Sequence, residues 1–199
     1  MRIIVIGATG TIGRAVVAQL AERHDVLTVG KTGGQFQVDM SDIASVRALF
    51  ERTGRADAVV VAAGHVHFGP LGEMTPEQFG IGLQGKLMGQ VNVALVAQQH
   101  LNDGGSITLT SGVLADDPIR DGVNATAVNA AVEGFARAAA LELPRGLRIN
   151  VVSPTILEES MPSYEAYFRG FEPIPARRAA LAYVKSVEGL QTGQVYRVL

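Results

Sequence analysis

Gly7, Gly10 and Gly13 stand three residues apart, where an apolar run, Ile3 to Ile6, gives way to a helical pattern. The chemistry that needs this spacing is the cradling of phosphate by bare backbone. Gly7 permits a tight exit from a strand, Gly10 lets backbone approach a pyrophosphate, and Gly13 lets the helix pack closely on the sheet. The first helical turn then offers unpaired N–H groups and the positive end of its dipole to the anion. Gly7, Thr9, Gly10, Thr11, Ile12 and Gly13 are therefore the residues expected at the phosphates. A second small-residue turn, Ala62-Ala63-Gly64, ends a later apolar run, where an adenosine or ribose can lie across the end of a strand at the switch point of a sheet.

The end of the second strand decides which dinucleotide is expected. It reads Thr28-Val29-Gly30-Lys31-Thr32, without the carboxylate that holds ribose hydroxyls in NAD enzymes. Lys31, with Arg14 just inside the first helix, offers cations to a 2′-phosphate instead. NADP(H) is expected ahead of NAD(H), and the missing acid also argues against S-adenosylmethionine. Asp39, followed by Met40, is placed to take the adenine amino group.

These residues require strands alternating with helices, and the pattern supplies them. Strands are expected at Ile3–Ile6, Val26–Val29, Ala58–Ala62, Ser106–Thr110, Leu147–Val152 and Gln194–Val198, with helices over Thr11–Arg23, Asp42–Thr53 (Ser41 as N-cap, Gly54 as stop), Thr75 to about Leu101, about Asn124–Leu143 and about Pro175–Glu188. Thr75-Pro76-Glu77-Gln78 combines an N-cap, a proline at the first helical position and a capping-box glutamine. Continuous apolar strands between helices mean a parallel sheet covered on both faces. The expected fold is α/β: one doubly wound Rossmann domain over residues 1–199, with the dinucleotide-binding part in residues 1 to about 155. Only Gly30 to Gln35 separate the second strand from a short extended stretch at Phe36–Asp39, too few for the usual crossover helix.

Composition sets the limits. The chain has 199 residues, 47% hydrophobic and 18% charged, with a formal net charge of −2, which gives no basic footprint for nucleic acid. It has no cysteine, which excludes disulfides, thiolate metal sites and a cysteine nucleophile, and its four histidines lack metal-ligand spacing. No stretch approaches the roughly 20 apolar residues of a membrane span, and Met1 to Gly7, too short an apolar run for a signal peptide, is expected to be the first strand itself. A cytoplasmic protein acting on a small molecule is expected, with neither nucleic acid nor membrane as partner.

In order along the chain, the glycine loop, Val38-Asp39, Ala62-Ala63-Gly64, Gly105 to Gly112, Glu133 to Arg137, Ala140 to Leu143, Arg148 to Pro154 and Thr192 to Val195 resemble the short-chain dehydrogenase/reductases over nearly the whole length. The resemblance implies a Ser, a Tyr four residues before a Lys, and an Asn on the preceding helix as the catalytic set. It implies Ser111 as the Ser. The Tyr and Lys positions fall on Ala125 and Asn129, so both are lost, and no tyrosine precedes Tyr164. Lys86 falls at the family's Asn. An exchanged pair, Lys86 with Asn129, is the expected replacement; His65, His67 and Tyr164 are other conceivable proton donors. The resemblance also implies that Pro154, Thr155 and Ile156 meet the nicotinamide amide, that a lid spans about 155–174, and that two long helices pair copies into a homodimer or homotetramer. Two readings stay open: an NADP(H)-dependent oxidoreductase of a small carbonyl or alcohol with an altered proton-transfer site, or an NADP(H)-binding sensor or partner protein without turnover.

Overall fold

Four consecutive apolar residues cannot be hidden by a sheet with one wet face. In the computed structural model, which describes residues 1–199, Ile3 to Ile6 are all buried in strand β1 (Arg2–Ile6) at the middle of a seven-stranded sheet. The other strands are β2 (Asp25–Gly30), β3 (Phe36–Gln37), β4 (Ala56–Val61), β5 (Leu101–Thr110), β6 (Arg148–Pro154) and β7 (Val195–Val198). Their order is β3-β2-β1-β4-β5-β6-β7 and every pairing is parallel. Chain direction across the sheet therefore reverses between β1 and β4, which puts the switch point beside the glycine loop.

Alternate strand residues feed two cores. Ile4, Ile6, Val59, Val61 and Leu109 pack on one face with α2 (Ile43–Thr53), α4 (Gly89–His100) and α5 (Val123–Ala139). Ile3, Val5, Ala58 and Val60 pack on the other with α1 (Thr11–Leu20) and α7 (Ala176–Glu188). The doubly wound expectation is met. No helix is long and apolar enough to cross a membrane.

Several boundaries differ from expectation, each for a local reason. Asp42, not Ser41, caps α2: its side chain accepts from the Ala44 N–H, while the Ser41 hydroxyl donates to Asp39. Strand β5 begins at Leu101 rather than Ser106, because residues 101–105 pair irregularly with β4 before the register settles. Helix α1 stops at Leu20 and α5 at Ala139. The rod from Pro76 to His100 is unbroken, but its middle is not α-helical: α3 (Pro76–Gly82) passes into a π-helical turn, Leu83–Met88, before α4. The capping box at Thr75 and Gln78 forms as expected.

The short connection after β2 also behaves as expected. In place of a crossover helix, residues 31–35 make a tight loop, with Gly34 at φ +91°. Thr28 and Gln35 bond each other reciprocally through side chain and N–H, at 2.9 and 3.1 Å. The lid leaves β6 and returns to α7 through a pinched base, where Leu157 and Ile174 form an isolated parallel bridge. Between them lie a 3-10 turn, Glu158–Ser160, and α6 (Met161–Tyr164).

Candidate active site

The glycine loop has the shape that phosphate needs. Gly7 sits at φ +85°, and a Cβ there would run into the Ala62 carbonyl; a Cβ on Gly13 would run into the Gly7 carbonyl. Both positions are closed to side chains by backbone, so the loop lies tight against the β4 turn. Gly10 caps α1 with no side-chain bond, and the Arg14 N–H is the first to return, to Gly10 O at 2.9 Å. That leaves the N–H groups of Thr11, Ile12 and Gly13 facing outward at the positive helix end. Thr9 reaches sideways to the β2 end, where a Cβ on Gly30 would come within 3.2 Å of its hydroxyl oxygen. The loop residues fit a dinucleotide pyrophosphate.

Beside this loop a cavity of about 110 Å³ is lined by Gly7, Lys31, Asp39, Met40, Ala63 and His65, among others, at the place where the adenosine end of a dinucleotide is expected. Lys31 Nζ lies 2.9 Å from Asp39 Oδ2, and both partners are exposed. The Ser41 hydroxyl and N–H donate to Asp39 Oδ1, at 2.6 and 3.0 Å. These bonds, with Lys31, hold the Asp39 carboxyl down at about 2. Asp39 thus stands where an adenine was expected, but its oxygens already serve Ser41 and Lys31. Arg14 folds back over the loop, its Nε donating to Thr9 O at 2.7 Å. Met40 is held by α4, its carbonyl accepting from Asn92 Nδ2.

A larger cleft of about 250 Å³ opens across Ala62, Ala63 and Gly64, and Lys86, Ser111 and Asn129 all line it. Lys86 projects from the π turn, and its Nζ donates to the Ser111 carbonyl at 3.0 Å. Its stem lies on Gly64, where a Cβ would stand 2.7 Å from Lys86 Cγ. The second glycine turn therefore makes room for a lysine as well as for a nucleotide. Burial pushes the Lys86 ammonium down to about 8. Asn129 is 3% exposed, and its Oδ1 is buried without a hydrogen-bond partner. Lys86 and Asn129 share the cleft as the exchange predicts, but the partner Lys86 engages is a backbone oxygen.

Ser111 differs from expectation in what its hydroxyl does. Oγ donates to Glu133 Oε1 at 2.9 Å, and the residue is 3% exposed. Glu133 lies one helical turn beyond Asn129 on the same face of α5. Its other oxygen takes Arg137 at 2.9 Å and lies 3.6 Å from Arg197, which itself grips Asp116 with two bonds of 2.7 Å. The Ser111 hydroxyl is thus committed to the buried carboxylate of Glu133, whose charged partners lie at the surface. What it presents at the lysine is its carbonyl.

Sequence reasoning passed over Gln90, one turn after Lys86. It is fully buried, accepts from the Thr110 N–H at 2.7 Å and donates to the Thr110 carbonyl at 2.8 Å. A side chain thereby closes the end of β5 as a further strand would. On the other side Thr110 Oγ1 donates to Val61 O and meets the Tyr183 hydroxyl, each at 2.6 Å. Burial raises that phenol far above its ordinary range. A polar side chain about four turns into a predicted helix, on the face that must be buried, was the one signal available.

Ala125 is 2% exposed and lines the cleft, so no hydroxyl stands at the family's tyrosine position. Pro154, Thr155 and Ile156 also line it. The Thr155 N–H is taken by Val198 O at 2.9 Å, whereas the Ile156 N–H makes no backbone bond. His65 and His67 do not line this cleft; Tyr164 and Phe168 do.

Comparison with known proteins agrees with this layout. A family model described as enoyl-(acyl carrier protein) reductase matches residues 3–192. The chain is 28% identical over 141 residues to a hydroxynaphthalene reductase of Aspergillus fumigatus, covering 68% of this chain and 52% of that one. It is 33% identical over 152 residues to a tetrahydroxynaphthalene reductase of Pestalotiopsis fici, covering 73% and 53%. The chain thus spans about half the length of these relatives. Among solved structures, the Listeria innocua protein lin1944 is 46% identical with a TM-score of 0.98, covering all of both chains. A small-chain dehydrogenase solved in complex with NADPH is 28% identical with a TM-score of 0.89, covering 100% of this chain and 96% of that one. The glycine loop at the switch point, the seven parallel strands and these matches agree: this chain belongs to the short-chain dehydrogenase/reductase family.

Proposed function

We propose that the protein is an NADP(H)-dependent oxidoreductase acting on a small carbonyl or alcohol, with Lys86 handling the proton that a tyrosine handles elsewhere in the family. The observation that carries this reading is the Lys86 ammonium in the cleft, lowered to about 8 by burial and steadied by the Ser111 carbonyl. An acid near the working pH is what proton transfer to a forming alkoxide requires, and such catalysis is worth about 10² to 10⁴ in rate.

The cofactor would lie along the groove described. The N–H groups of Thr11, Ile12 and Gly13 take the pyrophosphate, Lys31 and Arg14 the 2′-phosphate, and Met40 and Ala63 flank the adenosine. The NADPH complex of a relative supports the choice of dinucleotide. Reduced, the cofactor supplies hydride. The protein's own part is to hold the substrate oxygen at Lys86 Nζ, give it a proton and recover one from solvent. Asn129 Oδ1, unpartnered, is ready to accept from a hydroxyl of the cofactor or substrate. In this reading Ser111 works through its carbonyl, and its hydroxyl fixes that carbonyl by way of Glu133.

One observation favours a second reading, a protein that holds NADP(H) without turnover: with Ala125 and Asn129 at the positions aligned to the family's Tyr and Lys, and the Ser111 hydroxyl engaged by Glu133, none of the family's three hydroxyl and ammonium groups stands free at its own position. The experiment is NADPH binding by calorimetry alongside NADPH consumption with a panel of carbonyls, for the wild type and for Lys86→Met. Turnover lost in Lys86→Met with binding retained supports the oxidoreductase. Stoichiometric binding with no consumption in the wild type replaces it with the second reading.

The cytoplasm is the proposed compartment. Self-association is proposed through the α3–α4 rod and α5, where Leu95 stands 47% exposed beside an apolar groove that includes Phe135 and Leu143. Light scattering that gives a monomer at micromolar concentration overturns that part.

A further inference from the structure

The cleft around Lys86 carries one charged side chain and a bank of rings. Of its 21 lining residues only Lys86 is a cation or an anion, and 12 are hydrophobic. A substrate with its own charge would meet one ammonium and otherwise lose its hydration to apolar walls, which is costly. The rings come from two places, Phe68 in the segment after β4, and Tyr164 and Phe168 in the lid. Phe68 and Tyr164 meet at 5.7 Å and 61°, and Tyr164 and Phe168 at 6.4 Å and 83°. Phe68 also meets Tyr167 at 5.1 Å and 39°, so the rings form one continuous aromatic wall on this side of the cleft, a surface that favours a flat, polarisable guest. Ala125, packed in the same apolar cluster as Phe168, adds only a methyl group to the lining.

The chemistry of the proton points the same way. Without tyrosine, and with the Ser111 hydroxyl bound to Glu133, one ammonium must stabilise the oxygen that gains charge on reduction. A saturated ketone gives an alkoxide, about as basic as hydroxide, whose conjugate acid ionises far above the working pH. A carbonyl conjugated in a ring gives a phenolate-type oxygen, whose conjugate acid ionises near 10. The second asks far less of the proton donor before the transition state is passed.

We infer that the carbonyl substrate of this cleft is a planar, uncharged quinone. This rests on the oxidoreductase reading above. The reaction balances with a reduced nicotinamide dinucleotide as co-reactant. Its carbon–hydrogen bond breaks and that hydrogen passes, with the bonding pair, to the quinone. One carbonyl oxygen becomes a hydroxyl and the ring becomes aromatic. The other oxygen, left as phenolate, takes a proton from Lys86, which is reprotonated from solvent. The dinucleotide is oxidised by two electrons and the quinone is reduced to hydroquinone.

The test pairs turnover with binding. NADPH consumption is measured with 1,4-naphthoquinone and with cyclohexanone, corrected for the reaction without protein. The expected kcat/KM is at least about tenfold higher for the quinone. Cyclohexanone equal or better overturns the quinone assignment and leaves the oxidoreductase reading standing; no consumption of either, with NADPH bound, removes both. Binding is read without NADPH, by quenching of tyrosine fluorescence, since the chain has four tyrosines and no tryptophan. Naphthoquinone is expected to bind several-fold more weakly to Phe68→Leu, a variant that keeps Tyr164 as a reporter, with NADPH affinity unchanged. Unaltered quinone binding in Phe68→Leu places the quinone outside the cleft and overturns the inference.

Discussion

An ammonium that titrates near 8 changes role within the range where proteins are assayed. In the proposed role Lys86 acts below that value as an acid for carbonyl reduction, and above it as a free amine, a base for alcohol oxidation. Reduction is therefore expected to fall as pH rises through about 8, and oxidation to climb to a plateau over the same interval. Lys86→Met should lose both arms together with about 10² to 10⁴ of the rate, as read from pH profiles of kcat. Lys31 makes a different claim. Its pair with Asp39 is exposed and worth little to stability, so the cation is free to turn toward a 2′-phosphate. Lys31→Glu would place a second carboxylate beside Asp39. It is expected to raise the Kd for NADPH at least about tenfold while changing that for NADH little, a split readable by calorimetry. Lysine at position 86 was legible from its register against the family's helix. Its bond to a backbone oxygen was not, because residue type does not say which atom of a neighbour faces it.

At the scale of elements, the reactive lysine depends on a π turn. One extra residue per turn widens the helix at Leu83–Met88, and such bulges recur at functional sites. The bulge is followed at once by Gln90, whose amide holds the N–H and carbonyl of Thr110, next to the oxygen that Lys86 engages. Gln90→Leu leaves two buried backbone groups unpaired. It is expected to cost about 2–6 kcal/mol, at roughly 1–3 per unsatisfied group, measured by urea unfolding. The ends of this rod were legible, since Thr75, Pro76 and Gln78 announce a helix start in their own residue types. Its middle was not. A π turn has no composition of its own here, and the periods of 3.6 and about 4.4 residues diverge too little over six residues to show. Residue 101 was missed for a different reason: Asp103-Gly104-Gly105 keeps its turn character, with Gly104 at φ +73°, but Leu101 before it already pairs with Ala56.

Across the molecule, the site is tied together from its periphery. Arg197, in the last strand, holds Asp116 and approaches Glu133, which fixes Ser111 beside the cleft. The lid is tied too. Glu159 accepts from the Ala176 N–H with both carboxylate oxygens, at 3.0 Å each, and so caps α7, whose own N-cap residue, Pro175, has no side chain to do it. The Rossmann order was legible because each strand is a continuous apolar run. The latch was not, because Glu159 and Ala176 lie 17 residues apart in a segment without periodicity. Glu159→Gln keeps the size and loses the charge at the helix end. It is expected to speed amide hydrogen exchange in residues 158–173 several-fold, leaving β6 unchanged.

The bridge between Leu157 and Ile174 has a kinetic consequence. With both feet of the excursion fixed, the segment can lift without unzipping the sheet or fraying α7, and its opening is a local event, far less costly than global unfolding. Opening of that kind runs on the microsecond-to-millisecond scale on which many enzymes release product. With the bridge held, the tie that must release is the Glu159 carboxylate on the Ala176 N–H, so a change at Glu159 is expected to alter how long an occupant stays more than how fast it arrives.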